Sequence, residues 1–462
     1  MAGTILVIVG ITGDLSKRKL LPSVHHLLKN RKISEDISII GIGRKKTSPK
    51  ELAASTGPFI RKPEEDILQR IEKSIIYIRG DLGDQATYKA LKKEITELQE
   101  SHGFQNVLYY LATLPEHFEA ITTNLSEFGL AQNTRGWTRV VFEKPFGNGL
   151  DHARKLNAAI KKVFREDQIY RIDHYLGKEL VQNIAVLRFS NTVLEPLWNK
   201  NHVDHVQIIM NENAGVGTRG EFYDRYGALK DVIQNHMLQL LALTAMEAPS
   251  KFNALQIRNE KFKVLQSTRI VSNADVVLGQ YAGYQKEPGV MKNSKTETFA
   301  AMKAYVDNLR WQHVPFYLKT GKFLQNHVAL IYIQFEEAPG VIFEQKTALK
   351  PNHLVISIQP DEGFYLRLNA KVPGGMDITQ VKMDFCHSCV FGANTPEAYE
   401  TLLHNVFLGD QSVFVRSDEV EESWRIIGQI IDSKIKVFPY KKNSQPKEAD
   451  DFLQKENRRW FT

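Results

Sequence analysis

Residues 4 to 9, Thr-Ile-Leu-Val-Ile-Val, form a nearly continuous apolar run that leads into a glycine turn at Gly10 and Gly13. A strand that is apolar at successive positions is buried on both faces, as in a parallel sheet covered by helices. Parallel neighbours cannot be joined by a hairpin, so each strand must be followed by a crossover, usually a helix. Further apolar runs occur at Ile37 to Ile42, near Ile75 to Ile78, at Val107 to Ala112 and at Arg139 to Phe142, with helical patterns between most of them. Strand and helix alternating in this way predict a doubly wound α/β domain. Pro22 would break a helix interior, so the first regular helix is expected to start there, with Leu20 and Leu21 in the approach.

The pattern changes after about residue 180. Phe364 to Lys371 alternates strictly, with Phe364, Leu366, Leu368 and Ala370 on one face. Val203 to Met210, Val328 to Phe335, Leu354 to Ile358 and Ile378 to Phe385 are also strand-like. These segments predict a large, mainly antiparallel sheet with one face covered by helices. A long helix is expected over Arg225 to Glu247, and the polar tail from Tyr440 to Thr462 is expected to be only partly tied down.

The chain has 462 residues, 42% of them hydrophobic and 24% charged, as in ordinary globular proteins of two or three domains. No apolar run reaches membrane-spanning length, and the first apolar stretch reads as a strand and not as a signal peptide. The formal charge of +7 is scattered, with no long basic run interleaved with aromatics, so nucleic acid and membrane are not expected partners. A modest positive excess suits small phosphorylated anions. Two cysteines make no disulfide framework and fit a reducing, cytoplasmic setting.

Several constellations carry chemistry. Gly10-Ile11-Thr12-Gly13-Asp14 follows a buried strand, where glycines let the backbone approach a pyrophosphate at a helix start. Arg44, with Lys45 and Lys46, follows the second strand, where a cation suits the 2′-phosphate of NADP and an acid would suit NAD. Glu143-Lys144-Pro145 stands at the carboxyl end of an apolar run, where open α/β sheets bind ligands. In Arg171-Ile172-Asp173-His174-Tyr175-Leu176-Gly177-Lys178-Glu179, a helix starting near His174 would put His174 and Lys178 on one face as an anion pocket. His236 falls on the stripe formed by Leu229, Val232, Ile233, Leu240 and Leu243. An inward-facing imidazole needs a polar partner, and Asp173 is a candidate; a carboxylate-held imidazole is a standard general base. Cys386-His387-Ser388-Cys389 has metal or redox spacing but no second pair, and is read as a strand end with incidental thiols.

The string from Arg171 to Glu179 resembles the signature of glucose-6-phosphate dehydrogenases. The likeness extends through Gly10 to Lys19, Glu143 to Gly147, Asp231 to Gln239, Pro315 to Lys322 and Phe414 to Glu419. It implies an N-terminal Rossmann-like NADP-binding domain, residues 1–172, and a C-terminal α+β substrate and oligomerisation domain, residues 173–462. It implies oxidation of the C1 hydroxyl of β-D-glucose 6-phosphate with hydride passing to NADP, NAD being the weaker coenzyme, and no metal. By position, His236 corresponds to the general base and Asp173 to its orienting carboxylate. His174, Tyr175 and Lys178 correspond to phosphate ligands, and Lys144, Glu212, Asp231 and Lys322 to sugar ligands. Gly10, Thr12, Gly13, Asp14, Leu15, Lys19, Arg44 and Lys144 would line the coenzyme site. A homodimer or homotetramer of the bacterial type is the expected assembly.

Four departures stand out. His327 occupies the place where a second cation often follows Lys322, and Leu114-Pro115 replaces the usual Pro-Pro. A Gly-Ser/Thr-x-Gly stretch is missing after Tyr440, and Ser357 stands where an arginine of a second, structural NADP site would be, so that site is not expected. The competing readings are a dehydrogenase of another hexose phosphate and a catalytically silent paralogue.

Overall fold

The computed structural model describes residues 3–339, 349–375, 377–392, 396–431 and 433–461. The chain forms two compact units. The first contains Met1–Gly177 with Asn253–Arg258 and Pro396–Glu421; the second contains Lys178–Phe252, Asn259–Thr395 and Glu422–Thr462.

The first unit is built on six strands, β1 Thr4–Val9, β2 Ile37–Gly43, β3 Ile75–Arg79, β4 Asn106–Leu111, β5 Thr138–Phe142 and β6 Ile169–Arg171. Their order is β3-β2-β1-β4-β5-β6, and every neighbouring pair is parallel. All residues of β1, β2 and β4 are buried, which is why their sequences are apolar runs and not alternations. The strand order reverses between β1 and β4, and such a switch point opens a crevice at the carboxyl ends of the strands. β6 is fixed by the buried Arg171, whose guanidinium meets Glu166 at 2.7 Å and donates to Asn157 Oδ1 at 3.1 Å.

The helix after β1 starts earlier than expected. A π-helical segment, Ser16–Leu20, runs directly into the α-helix Leu21–Lys29. Pro22 lies in the first turn of the α-helical part. Its missing N–H and bulky ring are tolerated because wider π turns precede it, so the proline marks a change of helix type and not a start.

The second unit carries a ten-stranded sheet. Its strands are β7 Val203–Asn211, β8 Thr268–Arg269, β9 Val276–Tyr281, β10 Phe299–Val306, β11 Pro315–Gly321, β12 Val328–Phe335, β13 His353–Gln359, β14 Gly363–Lys371, β15 Ile378–Cys386 and β16 Val437–Tyr440. The order is β15-β14-β13-β12-β7-β11-β10-β9-β16, with β8 paired to β10. Among the described residues, only the β7/β11 and β9/β16 pairs of this sheet are parallel.

Both faces of the central strands are covered, where one covered face was expected. On one face Ile209, Tyr317, Leu330, Tyr332 and Val355 pack with Phe452, Leu453 and Trp460 from the C-terminal tail. Their sequence neighbours Ile208, Phe316, Leu318 and Ile331 point the other way and are equally buried. The tail is therefore part of the core. Its apolar residues are few but well placed, and Trp460 Nε1 donates to the Ala449 carbonyl while Arg458 pairs with Asp204 at 2.6 Å. The alternating strand β14 is half-buried along Phe364 to Ala370 on both faces, so its pattern does not mark a covered side.

The expected long helix is three pieces. An α-helix, Gly220–Ala228, is kinked at Gly227; a π-helix, Leu229–Met237, follows; the α-helix Leu238–Ala245 completes the run. Apolar spacing alone does not register the change from α to π turns.

Candidate active site

In the first unit the coenzyme candidates gather at the end of β1. Gly10 donates its N–H to the Ile42 carbonyl at 2.9 Å, and Gly13 donates to the Gly10 carbonyl at 2.9 Å, closing the turn. Gly10 has φ +93°, and a Cβ there would come within 2.5 Å of the Ala112 carbonyl oxygen just after β4. Only glycine allows the two strand ends at the switch point to approach so closely. Ser16 Oγ donates to the Gly10 carbonyl at 3.2 Å, tying the turn to the helix that follows. Thr12 lies on this turn, and Asp14 and Leu15 begin the helical run that follows it. Asp14 pairs with Arg18 at 2.6 Å, and Lys19 is engaged by Glu397 at 2.7 Å. Arg44 is exposed directly after β2, with its carbonyl accepting from Arg79 at 3.3 Å. Leu114 is also exposed, at the foot of a short helical turn after β4. A glycine cradle at a strand switch point fits the pyrophosphate of a dinucleotide.

Glu143 and Lys144 follow β5. The Glu143 carboxylate is buried and accepts from Tyr110 at 2.5 Å and from Tyr399 at 3.5 Å. Burial pushes it up to about 7, against the pull of both phenols and of Lys144. Lys144 itself is half-buried.

The signature segment does not fold as expected. No helix begins at His174; residues 174–177 form a turn, and the helix is Glu179–Phe189, with Lys178 at its N-cap position. His174 and Lys178 therefore do not share a helical face. The cause is Asp173, a turn-former: its Oδ1 accepts from the Tyr175 N–H at 3.0 Å, and its carbonyl accepts from Leu176 at 3.0 Å. Asp173 is almost fully buried, and the His174 and Tyr175 rings lie 4.9 Å apart.

In the second unit two groups of candidates come together. Lys178 Nζ donates to Gln359 Oε1 at 2.9 Å, and Gln359 Nε2 lies 3.2 Å from His327 Nε2. Gln359 thus bridges the candidate phosphate lysine and the histidine that stands in for the second cation. Burial pulls the Lys178 amine below its ordinary range, partly offset by Glu362. At the far ends of β7 and β11, Lys322 Nζ meets Glu212 Oε2 at 2.6 Å. The Lys322 amine also stands 5.3 Å from the centre of the Tyr223 ring. Burial drives the Tyr223 hydroxyl well above its usual range, and Asp231, Glu297 and Glu212 push in the same direction. Lys322 thus lies over the Tyr223 ring, and the charges of Asp231 and Glu212 both act on its hydroxyl. His236 is buried on the π-helix that also bears Asp231.

Tyr223 and Gln359 were not singled out from the sequence. No spacing or composition marks either one; Gln359 is placed by the end of β13 and Tyr223 by the helix Gly220–Ala228, and only the tertiary fold brings them to their partners. The two cysteines also depart from expectation. Cys386 and Cys389 form a disulfide at the end of β15, and Cys386 Sγ accepts from the Cys389 N–H at 3.2 Å. The short helix His387–Phe391 follows directly from Cys386 and brings the two sulfurs together, so the cysteines are bonded to each other and are not incidental thiols.

Comparison with known proteins gives a consistent result. Residues 7–183 match the family model described as glucose-6-phosphate dehydrogenase, NAD binding domain, and residues 185–461 match that of the C-terminal domain. The chain is 41% identical to the glucose-6-phosphate 1-dehydrogenase of Bacillus subtilis (strain 168), over 99% of this chain and 98% of that protein. It is likewise 41% identical to the enzyme of the same name from Borreliella burgdorferi, over 98% of this chain and 97% of the relative. A solved glucose-6-phosphate dehydrogenase in complex with its substrate glucose-6-phosphate superposes with TM-score 0.93 at 34% identity, covering 100% of this chain and 99% of the other. The crystal structure of the Mycobacterium avium protein gives TM-score 0.90 at 34% identity, covering 100% and 98%.

Proposed function

The chain belongs to the glucose-6-phosphate dehydrogenase family, and from that premise we propose which residue does what in the reaction. The enzyme oxidises the C1 hydroxyl of β-D-glucose 6-phosphate to the 6-phospho-1,5-lactone. The observation that carries the assignment of sugar ligands is the cluster of Glu212, Asp231 and Lys322 around Tyr223. Carboxylates accept from sugar hydroxyls and an ammonium donates to a sugar oxygen, so together they fix a polyol in one orientation.

His236 is the general base: its imidazole takes the proton of the C1 hydroxyl as the C1–H bond gives up its hydride. Asp173 has the task of orienting that imidazole and stabilising its protonated form. His174, Tyr175 and Lys178 hold the 6-phosphate, with Gln359 keeping the Lys178 amine in place. Lys144 follows β5 and contributes to both sugar and coenzyme binding. The coenzyme is a nicotinamide dinucleotide, and it supplies the hydride acceptor when bound. Gly10, Thr12, Gly13, Asp14, Leu15 and Lys19 would hold its pyrophosphate side, and Arg44 its 2′-phosphate, which makes NADP the preferred form. The chemistry needs a base and an acceptor and no metal. The remaining parts of the proposal are a functional division at residue 172/173, a cytoplasmic location, where phosphorylated sugars are made and kept, and a homodimer or homotetramer.

The test is reduced-nicotinamide absorbance on adding glucose 6-phosphate, with NADP and NAD in parallel and plain glucose as control, for the natural protein and for Arg44→Ala. Reduction that requires the 6-phosphate, with the NADP Michaelis constant raised in Arg44→Ala far more than that for NAD, supports the assignment. Equal effects on the two coenzymes would remove Arg44 from the 2′-phosphate.

A further inference from the structure

The helix that bears Asp231 and His236 has an unusual beginning. At Gly227 the backbone swings to φ 65°, ψ 179°, and the chain restarts as the π-helix Leu229–Met237. A restart of this kind leaves N–H groups that have no carbonyl one turn earlier. One residue takes two of them. The Glu297 carbonyl accepts from the Ala228 N–H at 3.0 Å, and Glu297 Oε1 accepts from the Leu229 N–H at 3.1 Å. Residue 227 must be glycine for this to form, because a Cβ there would stand 2.4 Å from Glu297 Oε1, and its left-handed φ also favours glycine.

The register of the π segment matters to what it carries. Asp231 and His236 are five residues apart. On an α-helix that spacing would turn their side chains about 140° away from each other. The i→i+5 turns of a π-helix bring residues five apart onto one side. The π register is set where the helix starts, and Glu297 holds that start from outside the helix.

We infer that Glu297 is a positioning residue for the dehydrogenase reaction, fixing the start of the π-helix so that Asp231 and His236 face the substrate together. This rests on the roles proposed for Asp231 and His236. The carboxyl of Glu297 titrates in a useful range: burial pushes it up to about 7, against its backbone hydrogen bonds and Lys230. Lys230 on the π-helix, Tyr223 on the preceding helix and Tyr284 after β9 are the titratable groups facing it. An ionised carboxylate is the stronger acceptor at a helix start, so the cap tightens as pH rises through this range.

The experiment is steady-state kinetics with glucose 6-phosphate and NADP on the full chain and on Glu297→Ala, Glu297→Gln and His236→Asn, with thermal melting of each. Glu297→Ala should lower kcat about tenfold while leaving the Michaelis constant for NADP unchanged, as expected for loss of a cap worth about 1.4 kcal/mol. Glu297→Gln keeps an oxygen that accepts from Leu229, so it should retain most of kcat, yet its kcat should rise less steeply with pH around neutrality. Glu297→Ala with natural kcat, or Ala and Gln variants equally impaired, would overturn the inference. Should the Ala variant fail to fold, an unchanged pH profile of Glu297→Gln overturns it instead. Impaired His236→Asn beside unimpaired Glu297→Ala removes this inference alone. His236→Asn with natural kcat removes the proposed base, and this inference with it.

Discussion

Lys322 and Glu212 sit at the carboxyl ends of two parallel neighbours, β11 and β7, and their charged groups meet at 2.6 Å beside Tyr223. The backbone there is fixed independently of the side chains: Glu212 N–H donates to the Gly321 carbonyl at 2.9 Å and Tyr440 OH donates to the Lys322 carbonyl at 2.7 Å. Removing the amine should therefore change binding and spare the fold. Lys322→Ala is expected to raise the Michaelis constant for glucose 6-phosphate roughly 30-fold, the value of about 2 kcal/mol for a hydrogen bond to a charged group. Steady-state kinetics with a melting curve checks it. A Michaelis constant within twofold of the natural enzyme would take Lys322 out of the sugar site.

Gln359 offers a sharper test of the phosphate side. Its amide holds Lys178 on one end and His327 on the other. Gln359→Ala removes one hydrogen bond that positions the Lys178 amine, so the Michaelis constant for glucose 6-phosphate should rise several-fold, by about 1 kcal/mol, with the coenzyme constant unchanged. The comparison with free glucose as substrate is decisive. The variant should lose its advantage for the phosphorylated sugar and leave weak glucose turnover untouched. Equal losses on both sugars would mean that Gln359 acts on the fold and not on the phosphate.

The parallel sheet was legible because burial on both faces leaves apolar runs that no other element needs, as in β1, β2 and β4. From the sequence, Glu212, Asp231 and Lys322 are proposed as sugar ligands through motif resemblance alone, since each is an ordinary charged residue in its local context. What was hidden has a common physical character. The π segments Ser16–Leu20 and Leu229–Met237 have the composition of α-helices, and one extra residue per turn leaves no mark on apolar spacing. The charge pattern around Asp173 does not distinguish a turn from a helix start; the bond from the Tyr175 N–H to the aspartate makes it a turn. Gln359 and Tyr223 matter through contacts between residues far apart in the chain. The tail is polar in composition, yet Phe452, Leu453 and Trp460 anchor it.

The tail leads to a stability prediction. Trp460 is 6% exposed, donates to the Ala449 carbonyl at 2.9 Å and packs on the Tyr317 ring at 6.2 Å. Lys319 also sits over its ring at 4.6 Å. Trp460→Ala removes a large side chain from a closed face of the sheet and should cost about 3–5 kcal/mol. Denaturant unfolding followed by circular dichroism measures it. A loss below about 1 kcal/mol would show that the sheet face closes without the tail.

Glu143 predicts a pH dependence whose sign can be worked out. Its carboxyl moves from 4.5 to about 7 on folding, chiefly through burial, so the folded state binds the proton more tightly than the unfolded chain does. Its contribution to stability is therefore fully present below pH 4.5 and is lost as pH rises to about 7, a swing of about 3 kcal/mol at 1.36 kcal/mol per unit. Above that pH the loss is complete and constant. Glu143→Gln keeps an oxygen that accepts from Tyr110 but removes the titration. The melting temperature of the variant, taken relative to the natural protein, should climb between pH 5 and pH 7 and level off beyond. Using the difference between the two proteins cancels every other titrating group they share. A flat difference across that window would mean the Tyr110 and Tyr399 hydroxyls compensate the buried charge completely, and that Glu143 is ionised in the folded protein throughout.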